Sequence, residues 1–281
     1  MYEIIFLWAL ALIWIIFTIV QDFKTREIAN WLNFSLAAFA LSFRFFYSLF
    51  NNDGFNFFYQ GVIGLGIFFA LGNLFYYSRV FAGGDAKLLI SLGAVLPYSS
   101  ELIYNLKDFV VFIFSFLIIG SLYVLIASSI ISFKNFKKFK KEFLFNLKKN
   151  KKYLIFVNIL GIIFSLMFFL EEMFLFFGLF FILIFWLYLY SISIEKACMI
   201  KKINPKKLRE GDWLYKDVFV FGKKIKAKWD GLVKKEISLL VKKGKLVEIK
   251  EGVPFSPTFL IALLLFIGIK IFNVNLGYPF W

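Results

Sequence analysis

Long apolar runs, broken at short intervals by polar clusters, set the organisation of this chain. The first run covers residues 2–21 and closes at Gln21-Asp22-Phe23-Lys24-Thr25-Arg26-Glu27. A second, 31–50, ends at the turn-rich Asn51-Asn52-Asp53-Gly54. The third is 57–77, and a fourth, 86–97, follows a glycine pair and stops at Pro97-Tyr98-Ser99-Ser100. Residues 109–132 make a fifth. About twenty apolar residues span a hydrocarbon core, so these runs predict transmembrane helices. Between 153 and 191 the apolar stretch exceeds one ordinary helix. Glu171-Glu172 therefore marks a tight turn between a sixth and a seventh span, or the tip of a re-entrant hairpin. An eighth span, 255–272, precedes a short tail to Trp281.

Two polar regions remain. Residues 134–152 hold nine lysines and one glutamate, with Phe136, Phe139, Phe143, Leu144 and Leu147 at roughly helical spacing. That pattern predicts a basic amphipathic segment on an anionic leaflet, with a solvated loop as the plainer alternative. Residues 194–254 look folded. Leu208-Arg209-Glu210-Gly211-Asp212-Trp213-Leu214 reads as a turn entering a strand, and Val218-Phe219-Val220-Phe221 as a strand. Residues 231–240 predict a short helix capped by Gly244, and Leu246-Val247-Glu248-Ile249 alternates as another strand. The expected fold is an all-α polytopic membrane protein of about eight transmembrane helices, with a small α+β cytoplasmic insert before the last one. Its parts are a membrane domain over 1–193, a soluble insert over 194–254, and a final helix and tail over 255–281.

Charge adds an orientation. Lys and Arg gather after spans one, three, five and seven, while the other connections are poor in them. The positive-inside rule then puts the basic loops in the cytoplasm, both termini outside, and Asp22 and Asp85 on the same cytoplasmic side of the cell membrane. The net charge of +15 is explained by these flanks and gives no argument for nucleic acid. Composition excludes several chemistries. There is no histidine, which removes His-based triads and HExxH zinc sites, and the single Cys198 permits no disulfide or CxxC motif. No cofactor or metal site is implied. Phenylalanine, 42 residues of the chain, reads as lipid-facing filler.

The stretch Phe81-Ala82-Gly83-Gly84-Asp85-Ala86-Lys87 is the candidate for chemistry. Two glycines allow a turn that a side chain would obstruct, and they deliver a carboxylate to a helix start at membrane depth or its edge. From Ala86 to Pro97 that helix rises about 18 Å, short of a core of about 30 Å. Either it stops early or Asp85 lies inside the protein at membrane depth. Asp22, at the end of span one, reads by itself equally as an interfacial anchor. If the two aspartates converge, one carboxylate can act as general base on a water and the other as general acid toward a carbonyl. Such a pair needs no histidine, cysteine or metal.

The chain resembles the archaeal preflagellin and prepilin peptidases, GxGD-type membrane aspartic proteases related to the type IV prepilin peptidases. The resemblance rests on Asp22 with Lys24 and Ile28-Ala29-Asn30, and on Gly83-Gly84-Asp85-Ala86-Lys87. It extends to Leu208-Arg209-Glu210-Gly211-Asp212, Gly231-Leu232, Glu236-Ile237 and Glu251-Gly252-Val253-Pro254-Phe255-Ser256-Pro257. It implies Asp22 and Asp85 as catalytic residues, with Gly83, Gly84 and Lys87 in the supporting loop. The implied substrates are pilin-like or flagellin precursors carrying a short basic leader, cut at the cytoplasmic face. The first glycine of the motif is Ala82 here, and eight spans exceed the six of simpler archaeal members. The four-cysteine domain of the bacterial relatives has no counterpart, which implies a peptidase without methyltransferase activity. A proton- or cation-coupled transporter using the two aspartates is the alternative. It would need polar residues in spans five to eight, which are almost purely apolar. A presenilin-type protease finds only a loose echo in Pro254-Phe255-Ser256-Pro257, and a scaffold leaves the aspartates unexplained.

Overall fold

The computed structural model describes residues 2–51 and 54–272; Asn52 and Asp53 of the turn-rich loop, and the tail to Trp281, lie outside the described residues. The eight apolar runs are the helices α1 (Tyr2–Thr25), α2 (Asn30–Phe50), α3 (Asn56–Tyr77), α4 (Gly83–Leu92), α5 (Leu102–Lys134), α7 (Lys151–Leu166), α8 (Met173–Ile194) and α10 (Pro257–Ile271). Five helical segments, including Met173–Met199, are long and apolar enough to cross a membrane. The others, α4, α7 and α10, have 10, 16 and 15 residues. The basic run is the amphipathic α6 (Phe136–Lys149). This is a multi-pass, all-α membrane protein with a small sheet-bearing insert.

The chain divides into two compact units, residues 1–125 with 254–281 and residues 126–253. The first unit packs α1, α2, α3, α4, α10 and the first half of α5 around one apolar core. Helices α3 and α4 meet through glycine. A Cβ on Gly64 would collide with the Gly93 carbonyl, and one on Gly93 with that of Gly64. Small residues that let backbones touch are how membrane helices associate where burial from water contributes little. Phenylalanine has two roles here. Many rings are exposed on the outside of the unit, as expected of lipid-facing side chains. Phe68, Phe112, Phe116, Phe259 and Phe266 are fully buried and form the centre, which corrects the reading of Phe as filler.

Helix α4 stops at Leu92, after about 15 Å, and the chain leaves it through tight turns before Pro97. Irregular backbone at this depth needs partners from the protein. Arg44 of α2 supplies them. Its guanidinium, fully buried, donates to the carbonyls of Ala94 (2.8 Å), Val95 (3.1 Å) and Pro97 (2.7 Å), and to that of Phe57 (3.0 Å). Beyond it, Asn105 holds the following loop. Its Oδ1 accepts from the Tyr98 and Ser99 amides, and its Nδ2 donates to Ser99 O and to Gln60 Oε1. Lys270 pairs with buried Asp108 and lies over the Tyr98 ring.

In the second unit, α7 and α8 form a hairpin whose turn contains Glu171-Glu172, with Gly161 and Gly178 at the close approach. Asn146 of α6 donates to Ser193 of α8 (2.9 Å). The insert contains β1 (Ile200–Ile203), β2 (Trp213–Leu214), β3 (Val218–Val220), β4 (Lys223–Ile225), α9 (Lys234–Lys243) and β5 (Val247–Lys250). The strands at 213, 218 and 247, and the helix closed by left-handed Gly244, stand near their expected places. What local pattern did not give is β1, the β3–β4 hairpin through Phe221-Gly222, and the antiparallel order β1-β5-β2.

Candidate active site

The first aspartate belongs to the last turn of α1. Its backbone carbonyl accepts from the Arg26 amide (2.8 Å), and Arg26 takes a left-handed φ of 59° that turns the chain off the helix. Gln21 spans the turn from the other side, its Oε1 accepting from the Ala29 amide (3.3 Å), and α2 begins at Asn30. The result is a short connection that presents Ile28, Asn30 and Asn33 toward the glycine loop.

The second aspartate sits in the first turn of α4, which starts at Gly83 after an extended Ala82. The two motifs are docked on each other. A Cβ on Gly84 would stand 3.0 Å from Ile28 Cβ, so any side chain there presses on Ile28 and a large one forces the loop away. Asn33 Nδ2 donates to Gly84 O (3.3 Å), and Lys87 Nζ donates to Asn30 Oδ1 (2.7 Å). Gly83 is less confined, its nearest neighbour for a Cβ being a Tyr76 ring carbon at 3.6 Å. Asp22 is buried and Asp85 half-buried, and the charge of Asp22 reaches the Asp85 carboxyl. Tyr123 of α5 lies within range of the charges of Asp22 and Arg26.

The structure thus brings Asp22, Asp85, Gly83, Gly84 and Lys87 to one end of the first unit. Ile28 and Asn30, quoted only as a downstream motif, are the contacts that Gly84 and Lys87 make. Three neighbours escaped the sequence. Asn33 carried a signal that could have been used: it is an amide inside an apolar span, one turn beyond Asn30. Ser256 donates through Oγ (2.7 Å) and through its backbone N–H (3.4 Å) to Asp22 Oδ2. Tyr123 stood in an apolar run with nothing local to mark it. Among the described residues, no group of three Cys, Asp or Glu side chains is arranged to hold a metal ion.

A pair of carboxyls at one buried end of a helical bundle, docked through a glycine loop, is a geometry that related proteins can test. The model of the type IV leader peptidase family matches residues 9–130, a stretch that contains both aspartates and helices α2 to α4 whole. That stretch, a little under half of the chain, is similar to the type IV leader peptidase family. A preflagellin peptidase of Methanococcus maripaludis (strain C6 / ATCC BAA-1332) is 36% identical over 86 residues. That match covers 31% of this chain and 36% of the relative, so the chain spans about a third of the curated protein it matches. No solved structure matches. The family region ends shortly after the first compact unit leaves α5, while Ser256 and α10 close the same unit from outside it.

Proposed function

We propose that this chain is a membrane-embedded aspartic endopeptidase that removes the short basic leader from pilin-like or flagellin precursors at the cytoplasmic face of the membrane. The observation that carries the reading is the docking of the two aspartate motifs, with Ile28 on Gly84 and Asn30 on Lys87, which sets Asp85 within reach of the charge of Asp22. The match of residues 9–130 to the type IV leader peptidase family supports it. So does the name of the Methanococcus relative, a preflagellin peptidase.

In the mechanism, one carboxylate takes a proton from water as the water oxygen attacks the scissile carbonyl carbon. The other carboxyl gives its proton to the carbonyl oxygen, forming a gem-diol. The first carboxyl then returns its proton to the amide nitrogen while the second takes one gem-diol proton, and the C–N bond breaks to release the amine and the carboxylic acid. Two like charges in one site do not both ionise cheaply, so the pair shares one proton. The substrate helix enters from the bilayer and its leader stays at the basic cytoplasmic face. The lysines of α6 hold the enzyme against anionic lipid rather than binding the basic leader, since like charges repel.

The test is co-expression with a leader-bearing precursor, read by the size of the product. Wild type removes the leader, and Asp22→Asn, Asp85→Asn and the double variant all leave it in place, because residues that act as a unit are not additive. Cleavage at near wild-type rate by Asp22→Asn with an inert Asp85→Asn would return Asp22 to an interfacial anchor.

A further inference from the structure

Ser256 is fully buried at the start of α10 and donates to Asp22 Oδ2 at 2.7 Å, with its own amide at 3.4 Å from the same oxygen. A serine at the first position of a helix ordinarily spends its hydroxyl on capping that helix. This one does not: it has helical φ and ψ of −53° and −33° and makes no side-chain cap bond. The opening of α10 is closed instead by Pro257 and by backbone bonds from Thr258 to Phe255 and from Phe259 to Ser256. The hydroxyl is committed to the aspartate.

Its position is tied to the glycine loop as well. The Phe255 ring packs against Phe81 (5.6 Å) and Phe116 (5.8 Å), and Phe81 packs on Phe116 (5.7 Å). Phe81 enters the turn that carries Asp85. One aromatic cluster therefore places the Ser256 hydroxyl and the Asp85 loop together. Lys24 and Arg26 follow Asp22 at its own helix end, and the elements packed around it bring few other charges. Arg44 is the one charged residue of α2 and serves the opposite end of the unit, and Lys270, the one charged residue of α10, pairs with Asp108. Lys87 of α4 is held by Asn30.

Resting on the aspartic-peptidase reading above, we propose that Ser256 is the positioning residue of the pair: it grips Asp22 through Oδ2 and leaves Oδ1 to take the proton of the attacking water. A hydroxyl bond to a carboxylate oxygen is charge-assisted and directional, so it fixes the plane of the carboxylate. Asp85 has no hydrogen bond from another residue among those described. The asymmetry makes Asp22 the base and Asp85 the proton donor.

The test uses the full-length protein in detergent and a leader-bearing precursor peptide, with kcat and KM measured separately. Ser256→Ala lowers kcat by about ten- to a hundredfold, the range for a hydrogen bond to a charged group, and leaves KM within about twofold. Ser256→Thr, which keeps the hydroxyl, recovers most of kcat. If the alanine variant does not accumulate as folded protein, Ser256→Cys keeps the size with a weak donor and shows the same loss in kcat. A wild-type kcat for the alanine or cysteine variant, with Asp22→Asn and Asp85→Asn both inactive, overturns the role of Ser256 and leaves the aspartate pair standing. An active Asp22→Asn or Asp85→Asn variant overturns the pair itself.

Discussion

Replacement of Arg44 tests how a broken helix survives inside the membrane part. Arg44→Leu removes the donor from four carbonyls, those of Ala94, Val95, Pro97 and Phe57. A buried acceptor left without a partner costs about 1–3 kcal/mol, and the three carbonyls after α4 together exceed what local relaxation can recover. Phe57 O, by contrast, lies in the first turn of α3 and faces that helix's own N–H groups. Against this stands the relief of no longer burying a cation, several kcal/mol after relaxation. The stacking of the guanidinium on Phe57, 4.2 Å from the ring centroid, is lost too. The carbonyl loss wins because apolar surroundings offer those oxygens no water. Three acceptors at about 1–3 kcal/mol each, less the relief of no longer burying a cation, leave a net cost of about 3 kcal/mol. At about 2–4 °C per kcal/mol, that lowers the melting temperature in detergent by roughly 10 °C. Arg44→Lys keeps the charge but loses the fork, and falls between the two. Leader cleavage falls further than stability alone requires, since α4 carries Asp85 and about 1 Å of misplacement costs about a hundredfold in rate. A melting temperature for Arg44→Leu within about 2 °C of wild type would show that those carbonyls find other donors, and the argument would fail.

Gly84→Leu abolishes leader cleavage in protein that still inserts, because even its Cβ stands 3.0 Å from Ile28, whereas Gly83→Ala, with 3.6 Å of room, keeps activity within a few-fold of wild type. Cleavage by Gly84→Leu at wild-type rate would remove the glycine-loop reasoning. Cysteines placed singly at Lys24 and Lys138 react with membrane-impermeant reagents only from the cytoplasm, and those at Glu101 and Glu171 only from outside. Reaction of position 171 from the cytoplasm alone would break the eight-span topology.

The sequence by itself determined the apolar spans and marked Asp85 as a candidate, because those signals are local; Asp22 alone read equally as an interfacial anchor. A run of residues 2–21 is long enough to cross a bilayer whatever surrounds it, and Gly83-Gly84-Asp85 marks its turn from three adjacent positions. It also showed that α4 is short, since Pro97 follows Ala86 too soon. The strand pairing of β1 with β5 was not legible, because Ile200-Lys201-Lys202-Ile203 has no alternation of its own and becomes a strand only beside Val247–Lys250. Only the tertiary structure decided what satisfies the end of α4 and what holds Asp22. Arg44 reads in the chain as an isolated charge in an apolar span, and its partners lie 50 and more positions away. Ser256 and Asp22 are separated by 234 positions. A serine before a proline reads locally as a helix start, and nothing in its neighbours says that the hydroxyl is spent elsewhere. Periodicity records which faces are apolar; a hydrogen bond between chain ends depends on how α1 and α10 pack, and that is a property of the assembled bundle alone.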